Sequence, residues 1–144
     1  MNNNINSKQK GNVTELKIML AFIEKGYSVS IPYGDCDRYD FVVDINGRFY
    51  RIQCKTSRTE DDGASIRFCC RSTYRREGHI AHHNYSENEI DFFATFWDNK
   101  VYLVSVNECH SDKKLRILPP KNGTNNTRIN WAKNYELEEV IKTL

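Results

Sequence analysis

Residues 38–57 restrict the fold of this chain more than any other stretch: Arg-Tyr-Asp-Phe-Val-Val-Asp-Ile-Asn-Gly-Arg-Phe-Tyr-Arg-Ile-Gln-Cys-Lys-Thr-Ser. Phe41, Val42, Val43 and Ile45 before the turn, and Phe49, Tyr50 and Ile52 after it, are β-formers. Asn46-Gly47 between them tolerates the positive φ that a two-residue type I′ turn demands. The stretch is expected to fold as two antiparallel strands. Side chains two apart on a strand share a face, so Gln53 and Lys55 project together while Cys54 points away. Asp40, at the start of the first strand, lies across the hairpin from the end of the second. An acid, an amide and an amine thus converge at one end of the ribbon. A polar strand end on a small sheet would use the same residues, and a carboxylate from elsewhere in the chain would sharpen the case for a site.

Ahead of the hairpin, Val13, Leu16, Leu20 and Ile23 recur at helical spacing, with Ile18, Met19 and Phe22 broadening the stripe and Gly26 standing where a C-terminal cap belongs. Glu15 falls on this helix, one residue before Leu16, which the pattern expects to be buried. A lone glutamate near a helix N-terminus is also what the helix dipole favours. Residues 27–31 alternate as a strand, and Pro32-Tyr33-Gly34-Asp35 breaks it. A helix followed by a three-stranded antiparallel meander is an α+β beginning.

Past Ser57 the character changes. Residues 58–63 form a polar loop, residues 64–71 read as a strand with Ile66, Phe68 and Cys70 on one face, and an irregular stretch runs to about Glu89. Between Arg67 and His83, Arg67, Arg71, Arg75 and Arg76 face one acid, Glu77, with Tyr74, His79, His82 and His83 interleaved. Basic and aromatic residues in a flexible segment suit phosphate contact, although arginines also cluster on solvated loops. Residues 91–97 and 101–106 form a second apolar hairpin around Asp98-Asn99-Lys100, continuous enough in hydrophobicity to be central strands covered on both faces. A short C-terminal helix is expected over about residues 131–144.

At 144 residues the chain has the size of one domain able to bury a core, and 39% hydrophobic with 28% charged residues is ordinary for a globular protein. The net charge of +2 averages over regions that differ. No apolar run approaches the roughly 20 residues of a membrane helix, and Met1-Asn2-Asn3-Asn4 does not open a secretory signal, so a cytoplasmic, intracellular location is expected. The five cysteines, Cys36, Cys54, Cys69, Cys70 and Cys109, contain no Cys-x-x-Cys pair, which makes reduced thiols the default. A zinc site using Cys69 or Cys70 with His79, His82 or His83 is conceivable but poorly spaced.

The order of a helix with Glu15, a strand start at Tyr39-Asp40, then Gln53-Cys54-Lys55 resembles the PD-(D/E)xK nuclease superfamily, in particular its small branch with the group I intron homing endonuclease and resolvase-like enzymes. Lys10-Gly11, Lys25-Gly26-Tyr27, Pro32, Thr56, Ile90-Asp91-Phe92-Phe93 and Val101-Tyr102-Leu103-Val104 extend the resemblance over about residues 10–107. Two positions depart from the pattern. Tyr39 stands in place of the proline, a backbone preference, and Gln53 in place of the second acid. A carboxamide oxygen still coordinates Mg²⁺ but brings no charge, which shifts the burden to Asp40 and Glu15. The named branch resembles this chain in using glutamine there.

The resemblance implies an α+β, restriction-endonuclease-like core with a central mixed β-sheet flanked by helices, in a single domain. It implies Mg²⁺-dependent hydrolysis of double-stranded DNA, with Mn²⁺ as a substitute. Glu15, Asp40 and Gln53 would hold the metal and Lys55 would orient the attacking water. Thr56, Ser57, Arg58, Arg67, Arg71, Arg75 and Arg76 would contact DNA. Because one chain offers one site, cutting two strands implies a homodimer or homotetramer. The alternatives are a Holliday-junction resolvase-like nuclease, a His-Asn nuclease built on His82-His83-Asn84, and a catalytically silent DNA-binding protein on the same fold.

Overall fold

The Asn46-Gly47 turn forms as its residues require, with φ of 55° and 80°, and joins β2 (Phe41–Ile45) to β3 (Arg48–Cys54) in antiparallel register. The computed structural model describes residues 4–123 and 128–144; the opening Met1-Asn2-Asn3 of the expected polar tail lies outside the described residues. Helix α1 (Ser7–Glu24) begins at a capping box in which Asn6 accepts from the Gln9 amide and Gln9 returns the bond. It is followed by β1 (Ser28–Ser30), which pairs antiparallel with β2. The meander expected from the sequence is therefore present.

β4 (Arg58–Glu60), β5 (Ser65–Cys69), β6 (Arg71–Arg76) and β7 (His79–Asn84) intervene before β8 (Phe92–Trp97) and β9 (Lys100–Ser105) complete the main sheet. β3 pairs with β8 in parallel, Gln53 opposite Phe93, so the five-stranded sheet β1-β2-β3-β8-β9 is mixed. β10 (Asp112–Arg116) joins β5 and β4 in a three-stranded sheet. The C-terminal segment expected as one helix is a 3-10 turn at Ala132–Tyr135 followed by α2 (Leu137–Ile141).

Alternation along β8 and β9 sorts the interior into two cores. Ala94, Val101 and Leu103 face α1 and α2, where they meet Ile18, Phe22, Phe41, Ile52 and Leu137. Phe93, Tyr102 and Val104 face the three-stranded sheet, where they meet Ile66, Phe68, Ile90 and Leu115. Both faces of the main sheet are covered, which is why its last two strands read as nearly unbroken apolar runs.

Four expectations are corrected. Residues 58–63, expected as a polar loop, begin with strand β4 (Arg58–Glu60), paired to β5. In α1, Ile18, Met19 and Phe22 are buried, but Val13, Leu16, Leu20 and Ile23 face outward. The stretch expected to be irregular is a two-stranded ribbon, β6 with β7, closed by Glu77-Gly78 at φ of 50° and 80°. Cys70 and Cys109, expected as reduced thiols, are joined as a disulfide in the second core; Cys36, Cys54 and Cys69 are free cysteines.

Phe22 packs edge-on against both Tyr27 and Phe41 at the centre of the first core. Phe22→Ala is expected to cost about 3–5 kcal/mol in urea unfolding. A loss under about 1 kcal/mol would mean that α1 contributes little to that core.

Candidate active site

The register of β2 with β3 places Asp40 where the sequence expected it. Phe41 is opposite Ile52, Asp40 donates its amide to the Ile52 carbonyl at 2.8 Å, and its carboxylate Oδ2 accepts from the Cys54 amide at 2.6 Å. Beyond Cys54 the Lys55 amide continues the parallel pairing by donating to the Ala94 carbonyl, 2.8 Å. Both ends of the hairpin are thus fixed by backbone bonds before any side-chain chemistry is considered.

Glu15 arrives from α1. Thr14, buried beside it, shares a hydrogen bond with Thr56 between hydroxyl oxygens, 3.1 Å apart, and so pins the helix to the strand end. The Glu15 and Asp40 carboxylates are close enough to feel each other. Burial first, and then the Asp40 charge, push Glu15 above the usual carboxylate range. Burial raises Asp40 too, against the Cys54 amide and the Lys55 charge, which lower it. Lys55 is held below its ordinary value, chiefly by burial. Burial thus disfavours the charged form of all three groups, and the Asp40 charge adds to this at Glu15.

The Lys55 ammonium is held by two contacts. Its Nζ donates to the Arg71 carbonyl at 3.0 Å, where β6 begins, and sits 5.1 Å from the centre of the Tyr85 ring. Arg38 lies over that ring at 3.9 Å, donates to Ser72 Oγ at 2.8 Å and to the Asn84 carbonyl at 3.0 Å, and pairs with Glu89 at 3.2 Å. Tyr85 in turn stands edge-on to Phe93. Arg38 and Tyr85 were not singled out in the sequence. Arg38 adjoins Tyr39-Asp40, but Tyr85 is 30 residues from Lys55 in the chain and carries no local signal.

Glu15, Asp40, Gln53 and Lys55 are gathered at one end of the main sheet, Gln53 with its Nε2 on the Cys54 carbonyl at 3.3 Å. Thr56 joins them through Thr14, and Ser57 Oγ, adjacent, is buried without a hydrogen-bond partner among the described residues. Arg71 opens the ribbon, while Arg75 and Arg76 are exposed near its tip and make no ion pair among the described residues. Arg58 and Arg67 stand apart. They lie on β4 and β5 and pair with Glu60 and Asp112. The His82-His83-Asn84 run lies on β7 and leads through a turn into β8, without the helix that a His-Asn site needs.

Among the described residues no cluster of three His, Cys, Asp or Glu side chains could hold a metal. The oxygen donors of Glu15, Asp40 and Gln53 are of the kind a hard divalent cation takes, and burial pushes both carboxyls above their usual range.

A helix laid on a mixed sheet, with acids from the helix and a strand start beside a lysine at the next strand's end, is the build of a nuclease, a hydrolase of phosphodiester bonds. The chain belongs to the PD-(D/E)XK endonuclease family, which it matches over residues 5–138. Its fold is shared with the solved structure of a bacterial homing endonuclease, I-Ssp6803I, at a TM-score of 0.76 and 19% identity, covering 96% of this chain and 95% of that one. No curated protein sequence matches it.

The raised carboxyl values carry a pH dependence. Glu15 and Asp40 bind protons more readily folded than unfolded. Their contribution to stability therefore falls as pH rises from the unfolded carboxyl values, near 4, through the raised folded ones. Glu15→Gln is expected to raise the melting temperature of the cation-free chain around pH 7 and to change it little near pH 4. Parallel melting profiles for the two proteins would remove the repulsion between these acids.

Proposed function

We propose that this chain is a Mg²⁺-dependent endonuclease of double-stranded DNA, homing-endonuclease-like, with Glu15, Asp40, Gln53 and Lys55 as its catalytic set. The observation that carries the reading is the meeting of Glu15 from α1 with Asp40 at the β2 start, beside Lys55, in surroundings that penalise their negative charge. Glu15, Asp40 and the Gln53 carboxamide would hold the cation. Such an ion supplies Lewis-acid charge that acidifies water and stabilises charge on the scissile phosphate.

The side chains then divide the work. Asp40 is aimed by the Cys54 amide, which donates to its Oδ2, and the Cys54 thiol lies against the same carboxylate. Glu15 is held in place through Thr14 and Thr56. The Lys55 ammonium orients the water and balances phosphate charge, and burial eases its loss of a proton. Ser57, with its unpartnered hydroxyl, and Thr56 lie within reach of a phosphate placed there.

The β6–β7 ribbon is the DNA-contacting arm in this proposal. Its tip carries Arg75, Arg76, His79 and Tyr74, all exposed, on a two-stranded β-ribbon of the kind that a major groove admits. Arg58 and Arg67, paired with acids, contribute less than the sequence alone suggests. Two copies are needed for two cuts, as a homodimer or homotetramer. A four-way junction is the alternative substrate, suited to the small size of the domain.

Incubation with supercoiled plasmid and with a synthetic four-way junction, each with Mg²⁺ and with EDTA, distinguishes the substrates. Nicked or linear plasmid with Mg²⁺ alone is the expected result, selective incision of the junction would favour resolution, and no cleavage of either would leave a silent DNA-binding protein. Lys55→Ala should abolish cutting while leaving DNA affinity within about threefold; an unaltered rate would exclude Lys55 from the chemistry. Replacing Arg75 and Arg76 with Ala should weaken binding and lower the slope of log K against log salt by about two. An unchanged slope would make the ribbon an ordinary surface element.

A further inference from the structure

Helix α1 is apolar on two opposite sides. One side is explained: Thr14, Ile18 and Phe22 seat it on the sheet. On the other, Val13, Leu16, Leu20 and Ile23 are 41%, 62%, 53% and 54% exposed. Their spacing of three, four and three residues is that of the a and d positions of a heptad, a seam rather than scattered surface residues. Four aliphatic side chains in a row on a capped, 18-residue helix are a contiguous apolar surface of the sort that marks an interface.

We infer that this seam binds the same seam of a second copy of the chain, with the two α1 helices antiparallel. The sequence is self-complementary in that arrangement. An antiparallel pair stacks a positions against d positions, so Val13 meets Ile23 of the second copy and Leu16 meets its Leu20. The four layers close symmetrically about the level of residue 18. The flanking charges select this orientation over a parallel one. Lys10, Lys17 and Glu24 occupy the e positions, which face one another across an antiparallel seam. Lys10 then lies beside Glu24 of the second copy, and two-fold symmetry makes that pair twice. Neither residue makes an ion pair within the chain among the described residues. In a parallel pair, e positions face g positions, which are Asn12 and Met19, and no opposite charges meet.

Lys17 would face its own copy across the axis, but its Nζ already lies over the Phe96 ring of its own chain, 5.1 Å from the centre, which draws it off the seam. The arrangement also relates the two sites. Position 15 of one helix is level with position 21 of the other, so the two Glu15 residues are offset by six residues, about 9 Å along the helix axes.

Sedimentation velocity on the full chain over a range of concentrations tests this and reads mass alone, so its outcome is separate from whether the site cuts DNA. Leu16→Asn with Leu20→Asn should halve the mass of the wild-type species and raise its dissociation constant by at least about a hundredfold, with an unchanged circular dichroism spectrum because both side chains are at the surface. Lys10→Glu alone and Glu24→Lys alone should each weaken association by about tenfold, since each turns both pairs repulsive. Mixing the two single variants should restore it, because both pairs in the mixed dimer are attractive again. A wild-type chain that stays monomeric, an Asn variant of full mass, or a mixture no tighter than its parts would overturn the inference.

Discussion

The hydrogen bond from the Cys54 amide to the Asp40 carboxylate, 2.6 Å, is the constraint from which the rest of the candidate site follows. It ties the first residue before β2 to the last residue of β3, and it is possible only because the two-residue turn at Asn46-Gly47 sets the register. A slip of one residue would turn Gln53 and Lys55 to the face on which the Cys54 side chain now meets Asp40 and Glu15. The parallel pairing with β8 then holds the Lys55 backbone on its other side. The position of the lysine is therefore decided by sheet geometry, and its side chain inherits that precision.

What the sheet does not decide, the ribbon does. Lys55 reaches the Arg71 carbonyl, Arg38 reaches Ser72 and the Asn84 carbonyl, and both cations share the Tyr85 ring. The base of β6–β7 is thus fastened directly to the residues flanking Asp40 and Lys55. Any movement of the ribbon against the main sheet must alter the surroundings of Lys55, since one of its three ammonium donors is spent on the strand that moves. The second core, with Phe93 against both Phe68 and Tyr85, backs this fastening from behind.

Much of the site was legible in residues 38–57 because the signals there are local. A two-residue turn, a period of two and three polar residues at a strand end need no knowledge of the rest of the chain. Glu15 was legible only through its resemblance to a family pattern, since a glutamate near a helix N-terminus has an ordinary explanation. The ribbon was not legible. β6 and β7 carry arginines, histidines and Tyr74 on both faces, so no apolar alternation betrays a strand, and Glu77-Gly78 lacks the asparagine or aspartate that announces a type I′ turn. The two faces of α1 were merged for a related reason: periodicity counts apolar residues around a helix but does not say which arc meets the core.

By itself, then, the sequence determined the β2–β3 hairpin, the β8–β9 hairpin and the pairing of Asp40 with the end of β3, because these depend on residues close together in the chain. Only the tertiary structure decided that Glu15 comes within electrostatic reach of Asp40, that Arg38 and Tyr85 flank Lys55, and that Leu16 and Leu20 face outward. Those facts depend on how α1, the ribbon and the sheet are stacked. Stacking is settled by burial summed over two cores, a quantity no short stretch of residues contains.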